Sequence, residues 1–282
     1  MATLNKNEIS ALVEMMADPD ATEIVVAQLS EMTTDTLVEL KKCAEFAPDN
    51  VAMMIDQALE DRHHYRLELA LKELNNQSPP ELLDILLWFC ELRNPDYDKE
   101  KLLYELDALY TRCSIAVGEE STMISRATKL ASYLGGEEEL RGNKDDYYNP
   151  NNSFIDHVLE TRQGLPICLS AIYMLVGEKL KVPFRGLALP GHFVVALFEH
   201  PDEEPVMFID PFRKGLIMNK LDLIEVVHRH GLTFDDEYLK PVSTRYLCKR
   251  MLNNLHLVYE RQNELKLTDA VLRFSNLWSA EI

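Results

Sequence analysis

The sequence predicts an α+β fold that is predominantly helical, with a small antiparallel sheet in the second half of the chain. Apolar residues recur at the three- and four-residue spacing of helices over much of residues 1–134 and again over 242–282. Between residues 183 and 212, three short runs rich in Val, Phe, Ile and Leu are bounded by Pro and Gly, which is typical of strands. Helices segregated from a run of sequential strands indicate α+β architecture rather than an alternating α/β order.

Residues 1–77 are predicted to be a helical N-terminal region. Its first apolar stripe includes Leu12, Val13 and Met16, which share one face of a helix. Short helices separated by turns suit one or two degenerate hairpins of the HEAT-repeat type. They suit an irregular helical bundle equally well, because no repeat period is sustained. The sequence leaves both arrangements open.

Residues 78–150 form a second predicted region, which is also helical. Pro79 and Pro80 end the preceding element, because proline lacks a backbone N–H and clashes inside a helix. The run "ELLDILLWFCELR" at 81–93 is strongly apolar, and helical patterns continue to about residue 134. The segment that follows is rich in Gly, Asn, Asp and Tyr, which indicates a loop.

Residues 151–240 contain the predicted sheet, and residues 241–282 are predicted to return to helix. The run "LPICLSAIYMLVGEKL" indicates a helix with Pro166 in its first turn, a position that tolerates proline. It precedes the three strand candidates "PFRGLALP", "HFVVALF" and "PVMFIDPF". The C-terminal helix is indicated by an apolar stripe of Leu247, Met251, Leu255 and Val258.

The charge balance excludes some classes of partner. The 282-residue chain carries 47 acidic and 29 basic side chains, so its formal net charge is −18. Broad binding to nucleic acid or to anionic lipid needs a basic face, so this balance argues against both. No run of about 18 apolar residues predicts a membrane helix, and the first residues lack the pattern of a signal peptide. We therefore expect a cytoplasmic protein that does not enter the membrane.

The sequence predicts neither a metal nor a cofactor. Its five cysteines are odd in number, irregularly spaced and without a CxxC pair, so they suggest neither a disulfide framework nor zinc. The segments "RHH" and "HRH" do not suggest a metal, because residues i and i+2 of a helix do not share a face. No GxGxxG or phosphate-binding loop occurs.

Three residues in the predicted sheet region have the types and order that thiol catalysis requires. Cys168 lies near a helix start, His192 opens a predicted strand and Asp210 closes the next. A thiolate is stabilised by the positive end of a helix, an imidazole moves its proton, and a carboxylate orients the imidazole. If the two strands are antiparallel neighbours, their directions bring His192 and Asp210 to the same end of the hairpin.

Each of these residues also has a structural interpretation. A cysteine in an apolar helix is most often a small buried hydrophobe, which is the alternative for Cys168. His192 follows Gly191 at a turn, where a polar residue is ordinary. Asp210 precedes Pro211, a common arrangement in turns, and this role is compatible with the catalytic one.

The stretch "RQGLPICLSAIYMLVGEKLKVPFRGLALPGHFVVALF", followed by "FIDPF", resembles the transglutaminase-like (papain-like) core. More specifically, "RGNKDDYYNPNNSFIDHVLETRQGLPICLSAIY" resembles the SirB1 family of transglutaminase-like proteins. The resemblance implies a helix packed on a small antiparallel sheet over 151–240, preceded by a SirB1-type helical subdomain over 78–150. It also implies Cys168 as nucleophile, His192 as base and Asp210 as the orienting group.

The implied function is cysteine-dependent acyl transfer on a protein or peptide, with hydrolysis and amine transfer both open. Members of the SirB1 family often carry Ser at the cysteine position and some lack the histidine. The alternative is therefore an inactive transglutaminase-like fold that serves as a protein-interaction or regulatory module.

Acyl transfer also requires donors for an oxyanion. The backbone N–H of Cys168 is one candidate, and Asn152 or Ser153 in "NPNNSF" is a candidate for another. The alternative for both side chains is capping of the short helix that follows, because Asn and Ser are preferred N-cap residues.

Overall fold

A computed structural model describes residues 6–16, 18, 21–44, 49–120, 122–200 and 203–278. The chain divides into two compact units, Met1–Ala70 and Leu71–Ile282. The division falls inside a helix, N-terminal to the predicted boundary at residue 77. The finer division into four regions stays a prediction.

The described residues of the first unit form helices, as the apolar stripes predict. They are α1 (Lys6–Met16), α2 (Thr22–Glu31), α3 (Thr34–Cys43) and α4 (Asp49–Asn76), whose last turns belong to the second unit. The start of α3 is fixed by Thr33, whose side chain accepts a hydrogen bond from the backbone N–H of Thr36. The apolar stripes meet in one core made of Leu12, Met16, Val25, Leu29, Leu37, Leu40, Ala44, Val51 and Ile55.

The second unit combines eight further described helices with two small sheets. The helices are α5 (Leu82–Arg93), α6 (Lys99–Val117), α7 (Met123–Gly136), α8 (Ile155–Thr161), α9 (Pro166–Lys179), α10 (Lys220–Arg229), α11 (Thr244–Arg261) and α12 (Leu265–Leu277). The strands are β1 (Arg141–Gly142), β2 (Gln163–Gly164), β3 (Phe184–Leu189), β4 (His192–Leu197), β5 (Met207–Asp210) and β6 (Leu216–Met218). No described helix combines the length and apolar character that crossing a membrane would take.

The main sheet is antiparallel in the order β3-β4-β5-β6, and β1 and β2 form a separate parallel pair. The three predicted strands correspond to β3, β4 and β5. The sequence did not predict β6, because it is three residues long and Leu216 and Ile217 are exposed. The α+β fold class is confirmed.

The sheet lies between α9 on one face and α10 on the other. Residues of β3 and β4 that point toward α10 join a core that includes Leu187, Val194, Leu223 and Val227. On the opposite face, α9 packs on β3 and β4 and also contacts α5, α6, α7 and α8. Almost the whole of α9 is therefore buried, rather than one face of it, because protein surrounds it on every side.

Candidate functional site

His192 and Asp210 meet at one end of the main sheet. β4 begins at His192, β5 ends at Asp210, and the two strands are antiparallel. Nε2 of His192 lies 2.9 Å from Oδ2 of Asp210. Because a carboxylate only accepts hydrogen bonds, the neutral imidazole must carry its proton on Nε2, which leaves Nδ1 as the basic nitrogen. Among the described residues, Nδ1 has no hydrogen-bond partner.

Asp210 is fully buried and also binds Arg213, a residue that was not among the predicted site residues. Nε of Arg213 donates to Oδ2 at 2.6 Å, and the Arg213 backbone N–H donates to Oδ1 at 3.2 Å. The second bond caps a short 3-10 helix, Pro211–Arg213, so Asp210 is a turn residue and the partner of His192 at once.

The charge state of Asp210 follows from these partners. Burial alone would raise the pKa of Asp210, because desolvation disfavours a carboxylate. Hydrogen bonds from His192 and Arg213, together with electrostatic attraction for the carboxylate, outweigh burial and lower the pKa of Asp210 below its ordinary value. The pair therefore presents an ionised carboxylate to the imidazole at neutral pH.

An aromatic wall covers the pair on one side. The Phe212 ring stands edge-on to the His192 ring, with centroids 6.0 Å apart, and Tyr147 packs on Phe212 at the same separation. Gly142 in β1 permits this packing, because a methyl group there would overlap the Phe212 ring.

The turn before His192 is held from outside the sheet. Gly191 adopts the left-handed conformation with φ of 63°, which favours glycine. Nη2 of Arg250, in α11, donates to the carbonyl oxygens of Leu189 and His192, each at 2.8 Å. The C-terminal helical region therefore fixes the position from which His192 projects.

Cys168 lies in the first turn of α9 and is fully buried. Burial raises the pKa of its thiol above the usual range, and neighbouring Cys90 and Asp156 shift it in the same direction. No hydrogen bond joins the Cys168 thiol to His192. The structure thus pairs His192 with Asp210 but does not join Cys168 to them, and its role as a nucleophile stays a prediction.

The two candidate oxyanion residues lie in the interior beside the loop that precedes α8. Nδ2 of Asn152 donates to the carbonyl oxygens of Asp146, at 2.7 Å, and Tyr147, at 3.2 Å. Its Oδ1 accepts from Nδ2 of Asn143 at 3.0 Å, so this side chain holds the loop together. The Ser153 hydroxyl is buried without a hydrogen-bond partner among the described residues, and α8 begins without a side-chain cap. The oxyanion role of either residue stays a prediction.

His192 opens onto a cleft of about 240 Å³ at the surface. Its charged lining residues, Lys144, Arg213 and Arg229, are all basic, and His230 adds a second imidazole. Phe212 and Val226 supply apolar wall. We call this surface, lined by Lys144, Phe212, Arg213, Val226, Arg229 and His230, the basic cleft.

Local sequence patterns could reveal only part of this site. The run "DPFR" contains a signal for Arg213, because an aspartate that caps a turn also reaches the residue three positions on. The basic cleft has no local signal, since Lys144 and Arg229 come from distant segments. Across the part of the chain that the structure describes, no group of three or more His, Cys, Asp or Glu side chains is arranged to hold a metal ion.

Comparison with known families locates this site within a recognised domain. Residues 100–253 match the family model described as "Transglutaminase-like superfamily". The matched segment is more than half of the chain, and it contains Cys168, His192 and Asp210.

Similar proteins occur in bacteria and in mammals. A UPF0162 protein of Xylella fastidiosa is 38% identical over 128 residues, which are 43% of this chain and 44% of that relative. A UPF0162 protein of Vibrio cholerae is 26% identical over 200 residues, 69% of this chain and 73% of the relative. F-box only protein 21 of Homo sapiens is 25% identical over 173 residues, 57% of this chain and 27% of that protein. The chain thus matches under half the length of the first of these relatives, and no solved structure matches it.

Proposed function

Since the chain belongs to the transglutaminase-like superfamily, we propose that its second unit is a protein- or peptide-binding module rather than a thiol enzyme. One observation carries the proposal: the Cys168 thiol is buried, has a raised pKa and makes no hydrogen bond with His192. A nucleophilic cysteine needs the reverse, a partly exposed thiol whose pKa is lowered by a neighbouring base. Arg213 adds support, because it binds the same Oδ2 of Asp210 as His192 does, so this carboxylate is not reserved for orienting a catalytic histidine.

The relatives are compatible with a modular role. The similarity to F-box only protein 21 covers 57% of this chain but only 27% of that protein, as expected when one domain is part of a larger multidomain protein. Membership of the SirB1 family, a cytoplasmic location and a protein or peptide partner belong to the same proposal.

Thiol reactivity tests this proposal directly. The folded protein is treated with iodoacetamide, and labelling of each cysteine is followed by mass spectrometry. Cys248 is the matched control, because it is also fully buried and burial raises its pKa above the usual range. We expect Cys168 to label as slowly as Cys248, and His192→Ala to leave its rate unchanged. Labelling of Cys168 at least about tenfold faster than Cys248, with loss of that excess in His192→Ala, would refute the binding-module proposal.

A second candidate function is cysteine-dependent acyl transfer. The observation in its favour is that Asp210 binds Nε2 of His192, while no described residue binds Nδ1, which suits a base. Catalysis would require the first turn of α9 to move so that the Cys168 thiol reaches Nδ1. A peptide vinyl sulfone that becomes attached to Cys168 in the wild type, but not in His192→Ala, would support this candidate. Release of product with or without an added amine would then separate transfer from hydrolysis.

A further inference from the structure

We propose that the basic cleft binds an acidic peptide segment, with a Glu or Asp carboxylate placed among Lys144, Arg213 and Arg229. The proposal rests on the proposed function, since it names the ligand class of the binding module. It does not depend on Cys168, which is absent from the lining of the cleft.

The charge of the cleft is opposite to that of the chain. Acidic side chains outnumber basic ones by 47 to 29 overall, yet every charged residue that lines the cleft is basic. Clefts lined by one sign of charge concentrate ligands of the other sign. A positive cleft on a protein of net charge −18 therefore attracts an anion locally, although the protein as a whole repels it.

The cations of the cleft are only partly neutralised by the protein itself. Nε of Arg213 donates to the buried Asp210 carboxylate, which also binds His192 and accepts a hydrogen bond from the Arg213 backbone N–H. Arg229 has an exposed side chain, and its carboxylate contact is a 3.8 Å pair with the exposed Glu225 one turn earlier, a weak kind of pair. Within the described structure, Lys144 makes no ion pair. The cleft thus retains the capacity to bind a carboxylate.

The size and walls of the cleft favour a side chain over a larger ligand. Its volume of about 240 Å³ is below the roughly 300 Å³ at which sites for cofactors and drug-sized molecules begin. Phe212 and Val226 offer apolar contact to methylene groups, which Glu and Asp possess and inorganic phosphate does not. An acidic side chain with an apolar neighbour in the same peptide matches both features.

The cleft is also held in shape before any ligand arrives. The His230 ring lies so close to Gly191 that a methyl group on Gly191 would overlap it. Gly191 belongs to the turn fixed by Arg250, and Arg213 is fixed by Asp210. A site whose groups are already ordered loses less conformational entropy on binding.

Fluorescence anisotropy with the full chain tests the proposal. The probe is a fluorescein-labelled nonapeptide of Glu and Leu, and the control peptide carries Gln in place of Glu, both at 0.15 M salt. We expect Lys144→Gln combined with Arg229→Gln to weaken binding of the acidic peptide about tenfold, because the variant removes two of the three cations placed around the carboxylate. The matched control is Lys99→Gln with Lys101→Gln. Lys101 has a similar exposure to Arg229 and likewise forms a 3.8 Å pair with a glutamate one turn away.

Three results would overturn the proposal: equal binding of the Gln peptide, equal weakening by the Lys99 and Lys101 control, or tighter binding of inorganic phosphate than of the acidic peptide. The titration is repeated on Cys168→Ala. Retained binding in that variant supports the cleft assignment whatever the outcome of thiol labelling, so failure of the binding-module proposal and failure of the ligand assignment are distinguishable.

Discussion

Replacement of Arg213 by methionine should destabilise the folded protein in a pH-dependent way. The variant removes the guanidinium that donates to Oδ2 of Asp210 at 2.6 Å, while the backbone N–H of residue 213 and His192 remain as partners. Asp210 is fully buried, so its carboxylate cannot turn to water for compensation.

The expected loss in free energy of unfolding is about 2 kcal/mol at pH 7.5. A hydrogen bond to a charged group contributes about 1.5–3 kcal/mol, and breaking a fully buried ion pair costs about 3–5 kcal/mol. The Arg213 side chain is 35% exposed, so solvent screening places the loss in the lower part of this range.

The pH dependence has a definite sign. In the wild type the pKa of Asp210 is lowered from its ordinary value of 3.8, so the ionised carboxylate stabilises the fold above about pH 4. This contribution is lost as the pH falls through the lowered value. Without Arg213, the Asp210 carboxylate has one hydrogen-bond donor fewer to offset the effect of burial, so its pKa should rise. The loss in free energy of unfolding caused by Arg213→Met should therefore grow with pH and shrink in acid.

Urea unfolding followed by circular dichroism, in a series from pH 7.5 down to pH 2.5, measures both effects, because the lower end of the series lies below the ordinary pKa of Asp210. The control is Arg185→Met. Arg185 is half-buried and stacks on Phe198 at 5.5 Å, and no ion pair is described for it, so its loss should cost less than about 1 kcal/mol at either pH. Equal losses for the two variants, or an Arg213→Met loss that does not change with pH, would show that the Asp210 carboxylate does not depend on Arg213.

Three further predictions concern packing, the loop clamp and the buried thiol. Gly135→Ala should lower the free energy of unfolding by about 3 kcal/mol, because the added methyl group would overlap the Lys214 carbonyl oxygen. The control is Gly136→Ala, whose methyl group meets no described atom within 4 Å and should be neutral or slightly stabilising. Thermal unfolding of both variants measures the difference. Asn152→Asp should lower thermal stability by about 3 kcal/mol, since a carboxylate would face two carbonyl oxygens, and a stability within about 0.5 kcal/mol of wild type would contradict the clamp. Cys168→Ala should cost about 1–2 kcal/mol in urea unfolding through lost buried contacts, and a gain in stability would argue that the thiol is strained rather than well packed.

Periodicity predicted most of the fold because long elements repeat their signal. In α11, the predicted stripe from Leu247 to Val258 is buried throughout. The burial of most of α9 was also open to prediction, since a helix that is apolar on nearly all sides is an interior helix. β1, β2 and β6 have too few residues to establish any period.

For the site too, the parts set by local sequence could be predicted, and the parts set by tertiary packing could not. Strand direction alone places His192 and Asp210 at one end of a hairpin, and the structure has them there. How α9 is placed on the sheet, and which of its side chains face that end, depends on tertiary packing, which spacing in the sequence does not determine. In the structure Cys168 lies beside Cys90 and Asp156. The basic cleft likewise arises from tertiary packing, which brings Lys144 next to the end of α10.

The hydrogen bonds from Arg250 to the turn before His192 limit how far the chain can be truncated at its C-terminal side. The strands and α9 contain all three predicted catalytic residues, so a chain shortened to end near residue 240 would keep every one of them. It would also leave the carbonyl oxygens of Leu189 and His192 without their shared donor, and Gly191 between them without an anchor. A fragment chosen by its motif would then keep the residues of the site but lose their alignment, so the working boundary of this domain lies beyond α11.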